Sequence, residues 1–261
     1  MKPELLLLAG WLSIAALGAQ TTAPAVDEIL ARVQTNTGQF EAALPDFVCD
    51  EKIDSFVTAQ GEMLREVVAE SHFTGLQKRS GRLAFTETRE YVTIDGKPAA
   101  KGQTPRKVLL FAGGFSSLLD QTFSAIFARF HDYRILGAET FGGRPALSIE
   151  FSTRPGQKAM SISWDEKAMI QRDTGKAWID AETLQVLRIE RRFLNIPPEY
   201  SGIVATVDYG PVSIDGRPFW MPLRVNLDQS LKDSGRRIYK AEYRNYRKFE
   251  VASGIVYQPG P

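Results

Sequence analysis

Cysteine and histidine are scarce in this chain, and their scarcity excludes several kinds of site. The 261 residues contain one cysteine, Cys49, and two histidines, His72 and His131. A single cysteine cannot form an intrachain disulfide, so the fold depends on its core. Two separated histidines without clustered cysteines do not make a recognisable zinc site. We therefore expect no metal and no cofactor.

An excess of charge is also missing. The chain has 32 basic and 31 acidic residues, with a formal net charge of +1. Proteins that bind nucleic acid usually carry a strong basic excess, so we expect no nucleic-acid partner. Basic residues do gather near the C-terminus, interleaved with tyrosines, as on some single-strand nucleic-acid surfaces. They are Arg188, Arg191, Arg192, Arg236, Arg237, Arg244, Arg247 and Lys248.

A solvated outer sheet face is the favoured interpretation of this basic group. Strand alternation divides the residues between two faces, and Glu190, Glu242 and Glu250 intervene. A partner with an anionic headgroup stays open as the alternative.

Catalytic motifs are absent as well. The chain has no Walker loop, dinucleotide fingerprint or calcium loop. Ser116-Ser117 follows glycines but does not match the Gly-x-Ser-x-Gly pattern. Carboxylates are numerous, yet no spacing indicates a paired acid and base. We predict that the protein is not an enzyme and has no catalytic residues, with a carboxylate-dependent hydrolase as the least favoured alternative.

Long apolar runs are missing except at the N-terminus. Lys2 precedes an apolar run from Leu5 to Leu17, and small residues follow it. This pattern is typical of a cleavable signal peptide over residues 1–19. The run is shorter than the roughly 20 apolar residues that cross a bilayer. We predict a periplasmic or secreted protein without a transmembrane segment in the mature chain, and without a lipid-bearing cysteine at its new N-terminus.

The remaining chain, about 240 residues, is long enough for one large β domain. Residues 20–45 are predicted to form an N-terminal helix and linker, with the helix over 24–43. A second helix is predicted over 116–130 from its wide apolar stripe of Leu119, Phe123, Ile126, Phe127 and Phe130. The rest of 46–257 is predicted to form a single β domain.

Alternating patterns predict strands over 47–57, 64–74 and 83–94, and a series of hairpins after Tyr133. Cys49 shares the apolar side of the first strand with Phe47, which favours a buried thiol over an intermolecular disulfide partner. His131 is expected to follow a helix, whose dipole favours a cation there.

Two hairpins can be placed in register. The loop Gly142-Gly143 predicts that Ala138 faces Leu147, Leu136 faces Ile149 and Arg134 faces Phe151. A second hairpin predicts the pairs Ile179–Leu187, Trp178–Arg188 and Lys176–Glu190. Trp178 is then explained by cross-strand packing under a guanidinium, and a recognition role is the less favoured interpretation.

Several hairpin segments resemble the LolA-like lipoprotein-carrier superfamily, which includes outer-membrane lipoprotein-sorting proteins and periplasmic RseB-type sensors. The similar segments, over roughly 133–250, are Leu136-Gly-Ala-Glu-Thr-Phe-Gly-Gly-Arg-Pro-Ala-Leu-Ser-Ile-Glu-Phe151, Ala177-Trp-Ile-Asp-Ala-Glu-Thr-Leu-Gln-Val-Leu-Arg188 and Phe219-Trp-Met-Pro-Leu-Arg224. The resemblance implies a β-rich α+β fold, in which a strongly curved antiparallel half-barrel carries helices on its concave side. It also implies an apolar cavity between the sheet and the helices.

The expected function is binding of a lipid, an acyl chain or a lipidated partner by a non-enzymatic envelope protein. The alternative is a protein-interaction or stress-sensing module of the cell envelope, with a closed core. Whether the apolar side chains line a cavity or fill a core stays open, and a filled core is the default. The candidate cavity residues are Phe123, Ile126, Phe127, Phe130, Leu136, Ile149, Ile179 and Leu187.

Overall fold

The structure is a computed structural model that describes residues 25–77, 85–106, 109–111, 114–157, 161–164, 167–170 and 172–250. The predicted signal peptide at 1–19 and the C-terminal residues 251–261 lie outside the described residues. Among the described residues, no helix is long and apolar enough to cross a membrane.

The described residues form three helices and thirteen strands. The helices are Val26–Ala43 (α1), Gly114–Phe123 (α2) and Ala125–Ala128 (α3). The strands are Phe47–Ala59 (β1), Glu62–Gln77 (β2), Phe85–Ile94 (β3), Lys97–Pro98 (β4), His131–Phe141 (β5), Arg144–Thr153 (β6), Ser161–Trp164 (β7), Lys167–Ile170 (β8), Asp173–Asp180 (β9), Val186–Phe193 (β10), Tyr200–Ile214 (β11), Arg217–Leu231 (β12) and Arg236–Lys248 (β13).

One antiparallel sheet contains 11 of the strands, in the order β4-β3-β2-β1-β13-β12-β11-β10-β9-β6-β5. The first and last long strands, β1 and β13, pair with each other in the middle of this sheet. Strands β7 and β8 form a separate hairpin between β6 and β9. Within the described ranges, β4 and β5 do not pair with each other, so the sheet is open. The predicted β-rich class and antiparallel sheet are confirmed, whereas the concave placement of the helices stays a prediction.

The N-terminal strands follow the predicted alternation. Val67, Ala69 and Phe73 are buried on one side of β2, and His72 is exposed on the other. Cys49 is fully buried and free, as predicted. Because their apolar residues recur at every second position, those side chains lie on one side of the sheet.

The predicted helix over 116–130 is interrupted. Helix α2 ends at Phe123, and Ser124 adopts an extended conformation with ψ of 151° before α3 begins. The Ser124 side chain accepts a hydrogen bond from the Phe127 amide, which is the usual role of a serine before the first turn of a helix. A local side-chain bond therefore overrides the apolar periodicity that predicted one continuous helix.

Both predicted hairpin registers are partly wrong, because each hairpin contains a bulge. In the first hairpin, Ala138 faces Leu147 as predicted, but Ile135 faces Ile149 because Leu136 is the extra residue of a bulge. Arg134 consequently faces Glu150 rather than Phe151. An extra residue in one strand shifts every later pair by one position, which sequence alternation alone does not reveal.

The second hairpin keeps two of its three predicted pairs. Trp178 faces Arg188 and Lys176 faces Glu190, but Ile179 faces Val186 because the ladder shifts before Arg188. The cation above the Trp178 ring is Lys176, with its Nζ 4.5 Å from the ring centroid. The Arg188 guanidinium lies instead over the ring of Phe141. Trp178 packs against Phe141 at 5.3 Å between centroids, in agreement with a packing role.

Candidate functional site

The helices cover one face of the sheet, which we call the covered face. Phe115 of α2 lies on it, with its ring centroid 4.8 Å from that of Phe73, 4.9 Å from that of Tyr243 and 5.4 Å from that of Phe47. These partners come from β2, β13 and β1. One aromatic side chain of α2 thus joins three adjacent strands of the sheet.

Helix α2 fills the middle of the covered face with a bulky apolar side. Its buried residues are Gly114, Phe115, Leu118, Leu119, Thr122 and Phe123. Helix α1 adds the buried side chains of Ile29, Leu30 and Val33 to the same core cluster. The covered face is therefore an apolar surface whose cover is made of helices.

The predicted cavity residues have different environments. Phe123, Ile149 and Ile179 have no exposed surface and belong to the core cluster. Phe127 and Leu187 are buried outside that cluster, and Ile126 and Phe130 are half-buried. Leu136 is 43% exposed, so its predicted place beneath the helices is wrong, and the bulge in β5 is the reason.

The apolar pocket between α1, α2 and the sheet is very small. A pocket lined by residues that include Val33, Leu119, Leu184 and Trp220 has a volume of only about 10 Å³. That is about the space of a single water molecule. A larger pocket of about 490 Å³ lies between α1, α3 and β5, but polar residues line it, including Asp27, Arg129 and Arg154.

A buried cluster of charged and polar side chains, centred on Arg191, lies at the C-terminal end of α2. Arg191 of β10 has no exposed surface, and its guanidinium donates to Gln121 Oε1 at 2.7 Å and to Thr122 Oγ1 at 2.6 Å. Its Nη1 lies 3.4 Å from Asp173 Oδ2. The placement of Arg191 on the solvated outer face is therefore wrong.

His131 belongs to the same cluster. It is the first residue of β5 and is 3% exposed, with Nε2 2.9 Å from Asp173 Oδ1. Thr153 donates to the same oxygen at 3.1 Å. His131 is therefore a buried partner of Asp173, in addition to following a helix as predicted.

A second buried polar cluster lies across β1, β2, β3 and β13. Glu51 accepts hydrogen bonds from Arg89 at 2.8 and 3.0 Å, from Ser71 at 2.7 Å and from Tyr239 at 3.2 Å. The carboxylate has no exposed surface, so these donors replace its hydration. Burial beside Glu51 raises the pKa of the Tyr239 hydroxyl above its ordinary value.

Polar contacts hold both ends of α2. At its N-terminal end, the Ser116 hydroxyl donates to Glu87 Oε1 at 2.9 Å, and the Ser116 amide donates to the same oxygen at 3.3 Å. At its C-terminal end, Arg191 binds Gln121 and Thr122, and the Tyr133 hydroxyl donates to the Thr122 carbonyl. An acid at the first turn and a cation at the last turn both suit the helix dipole.

The sequence interpretation missed both buried clusters, although strand parity contains the signal. Arg191 has the same odd parity as Ile189, and Glu51 lies between Cys49 and Ile53 on one side of β1. When the residues two positions away along a strand are buried, a charged side chain between them points to the same buried side of the sheet, whatever its own hydropathy. The partners of Arg191 on α2 and β9, and the partner of Glu51 on β3, are distant in sequence and could not be identified.

Comparisons with known proteins give structural neighbours only. No protein-family model and no curated protein matches the chain. A DUF1329 family protein from Desulfovibrio piger has a similar structure, with a TM-score of 0.43 and 11% identity over 89% of this chain and 96% of that one. A LolA superfamily protein from Nitrosomonas europaea has a TM-score of 0.40 and 13% identity, over 90% of this chain and 99% of that one.

The neighbours also include the lipoprotein LppX of Mycobacterium tuberculosis, with a TM-score of 0.29 and 8% identity over 85% of this chain and 96% of that one. The LolA superfamily, which the hairpin segments of the sequence resemble, is thus among the structural neighbours. Since these TM-scores lie below 0.5, the likeness carries no argument about function.

Proposed function

We propose that this protein binds the acyl chain of a lipid or of a lipidated partner on the covered face, in the space that α2 occupies in this structure. The observation that carries the proposal is the position of α2. Its apolar side packs over the middle of the sheet, and polar side chains of the sheet, Glu87 and Arg191, bind its two ends.

The exchange of α2 for an acyl chain would conserve apolar burial. Helix α2 buries Phe115, Leu118, Leu119 and Phe123 against the sheet. An acyl chain gains about 0.8 kcal/mol for each buried methylene, so a C16 chain can replace these contacts without a large net cost. The strands, whose ladders are long, need not change their pairing.

The helix boundaries suit such a movement. Ser124 is extended between α2 and α3, so no continuous helix joins them. The part-buried contact between Ser116 and Glu87, at the N-terminal end of α2, can be replaced by water when the helix leaves the sheet. A polar contact that water can replace contributes only about 0.5–1.5 kcal/mol net, less than apolar packing of similar size.

Uptake of a fluorescent C16 fatty acid by delipidated, refolded protein beginning at residue 20 tests the proposal. We expect saturable binding by the wild type. Phe115→Ala should bind more tightly, because weaker docking of α2 raises the population that can accept a ligand. Leu136→Ala is the matched control, since Leu136 is exposed at the sheet edge and its truncation should change nothing.

Native mass spectrometry of protein purified without detergent supplies the second readout. A bound mass in the lipid range that organic extraction removes is the expected result. Absence of fatty-acid uptake by both the wild type and Phe115→Ala would overturn the proposal.

A second candidate function is a protein-interaction module with a closed core. The observation that favours it is the small volume of the apolar pocket between α1, α2 and the sheet, which at about 10 Å³ has no room for a ligand. In that case a partner would bind elsewhere on the sheet. A clean apo mass without probe uptake, together with a stoichiometric partner in a pulldown from the envelope, would favour this candidate.

A further inference from the structure

Arg191 is a charged residue in the most buried part of the covered face. It is the largest fully buried side chain among the described residues. Its neighbours include the ring of Phe151, whose centroid lies 5.6 Å from the guanidinium carbon. A static apolar core gains little from such a group, because apolar residues of similar volume often stabilise a core equally well.

The guanidinium is incompletely satisfied. Its shortest contacts, at 2.7 and 2.6 Å, are to a neutral amide and a neutral hydroxyl on α2. Asp173 is farther away at 3.4 Å and also accepts from His131 and Thr153. The Nε atom of Arg191 has no hydrogen-bond partner within the described part of the chain. A bidentate carboxylate partner, which a guanidinium prefers, is therefore missing from its described contacts.

Tyr209 of β11, the strand paired with β10, provides a second buried donor. It is 6% exposed, and its hydroxyl forms no hydrogen bond of acceptable geometry among the described residues. Burial raises the pKa of this hydroxyl, which keeps it protonated, while the charge of Arg191 and the backbone of Leu119 oppose the shift. Tyr209 is thus a neutral donor without a partner among the described residues.

Removal of α2 would leave these donors without their present neighbours. Gln121, Thr122 and the Leu119 backbone all belong to α2 and would leave with it. The guanidinium and the phenol would then face the space that the acyl chain enters. Asp173 would stay 3.4 Å from the guanidinium, but it is shared with His131 and Thr153. A ligand that replaces α2 and supplies acceptor atoms at this point would restore the hydrogen bonds that Gln121 and Thr122 make in this structure.

We propose that Arg191 and Tyr209 form a head site for an anion, and that the ligand is a single-chain amphiphile whose carboxylate or phosphate monoester lies against them. The proposal rests on the proposed function, because the head site opens only when an acyl chain takes the place of α2. The chain would extend from this point over the covered face, along the positions of Leu118 and Phe115.

Competition binding with matched C16 ligands tests the head site. Delipidated protein is loaded with a neutral fluorescent apolar probe, which palmitic acid, hexadecyl phosphate, 1-hexadecanol and methyl palmitate then displace at pH 8. We expect the ligands with an anionic head to bind about ten-fold more tightly than the alcohol or the ester, since hydrogen bonds to charged groups are the strong ones. The ratio between the acid and the phosphate identifies which head the site prefers.

Two variants locate the effect. Arg191→Met should reduce the preference for an anionic head to about one-fold, and Arg192→Met is its control, because Arg192 is the adjacent exposed residue. Tyr209→Phe should reduce the preference several-fold while it leaves the fold intact, since it removes only an unpaired hydroxyl. Tyr209→Phe therefore tests the site even if Arg191→Met does not fold.

The outcomes separate the head site from the proposed function. Equal affinity for the acid, the phosphate and the alcohol would overturn the head site and leave acyl-chain binding in place. Failure of every C16 ligand to displace the probe would overturn both proposals. A preference for anionic heads that survives in Tyr209→Phe and in Arg191→Met would also overturn the head site, because the anion would then bind elsewhere.

Discussion

Arg191 of β10 donates a hydrogen bond of 2.6 Å to the Thr122 hydroxyl of α2, and both residues are completely buried. This contact joins the sheet to the helix that covers it at a point where neither side chain meets water. Glu87 makes the corresponding contact at the other end of α2, through Ser116. The helix is therefore held by polar side chains at its ends and by apolar packing between them.

Glu87→Ala should loosen α2. The Ser116 amide and hydroxyl would lose their acceptor, and loss of such a cap costs about 1 kcal/mol. We expect faster hydrogen exchange of the α2 amides and faster fatty-acid uptake. Glu90→Ala is the control, because Glu90 is exposed on the same strand. Equal exchange rates in the two variants would contradict the role of Glu87.

Gly175→Ala should destabilise the pairing of β9 with β10. A Cβ at Gly175 would lie 2.2 Å from the Glu190 carbonyl oxygen and 2.3 Å from Phe151 Cζ. Overpacking of this kind costs about 1–3 kcal/mol, and the backbone oxygen cannot easily move. Urea unfolding measures the change. Gly202→Ala is the matched control, since nothing lies within 4 Å of a Cβ there; similar losses in both variants would refute the steric explanation.

Cys49 should be unreactive in the folded protein. Burial raises the pKa of its thiol far above the ordinary value, with the charges of Glu51 and Asp50 adding to the effect. The thiolate is the reactive form, so we expect no reaction with a thiol reagent at pH 8 until guanidinium unfolds the chain. An added Glu66→Cys, at an exposed position of β2, should react at once. Rapid modification of Cys49 in the native state would show that β1 opens locally.

Stability should fall at alkaline pH. Burial raises the pKa of six tyrosines above the ordinary value of 10.0, so each keeps its proton in the folded state after the unfolded chain has lost it. They are Tyr91, Tyr133, Tyr209, Tyr239, Tyr243 and Tyr246. Because the unfolded state then binds fewer protons than the folded state, the free energy of unfolding decreases as the pH rises past about 10.

Urea titrations between pH 8 and pH 11, with tyrosinate absorbance as a second signal, measure this effect. We expect a steady fall above pH 10 and tyrosinate formation that coincides with unfolding. Normal titration of all the tyrosines in the folded protein would contradict the burial of their hydroxyls.

The sequence predicted the parts of the fold that short-range pattern determines. Alternation placed β1, β2 and the buried Cys49, and the glycine turn placed the pair Ala138–Leu147. These features depend on which side of a strand each residue occupies, and neighbours along the chain decide that. Bulges at Leu136 and before Arg188 and the cap at Ser124 were missed, because each is a local exception to a period.

The sequence by itself determined the antiparallel class, the apolar character of α2 and the balance of charge. Only the tertiary structure decided that β1 pairs with β13, that α2 covers the sheet, and that Arg191 lies beneath it. The physical reason is distance along the chain. A buried charge is stable only where partners from other elements satisfy it, and Thr122 and Asp173 reach Arg191 only after the sheet and the helix have assembled.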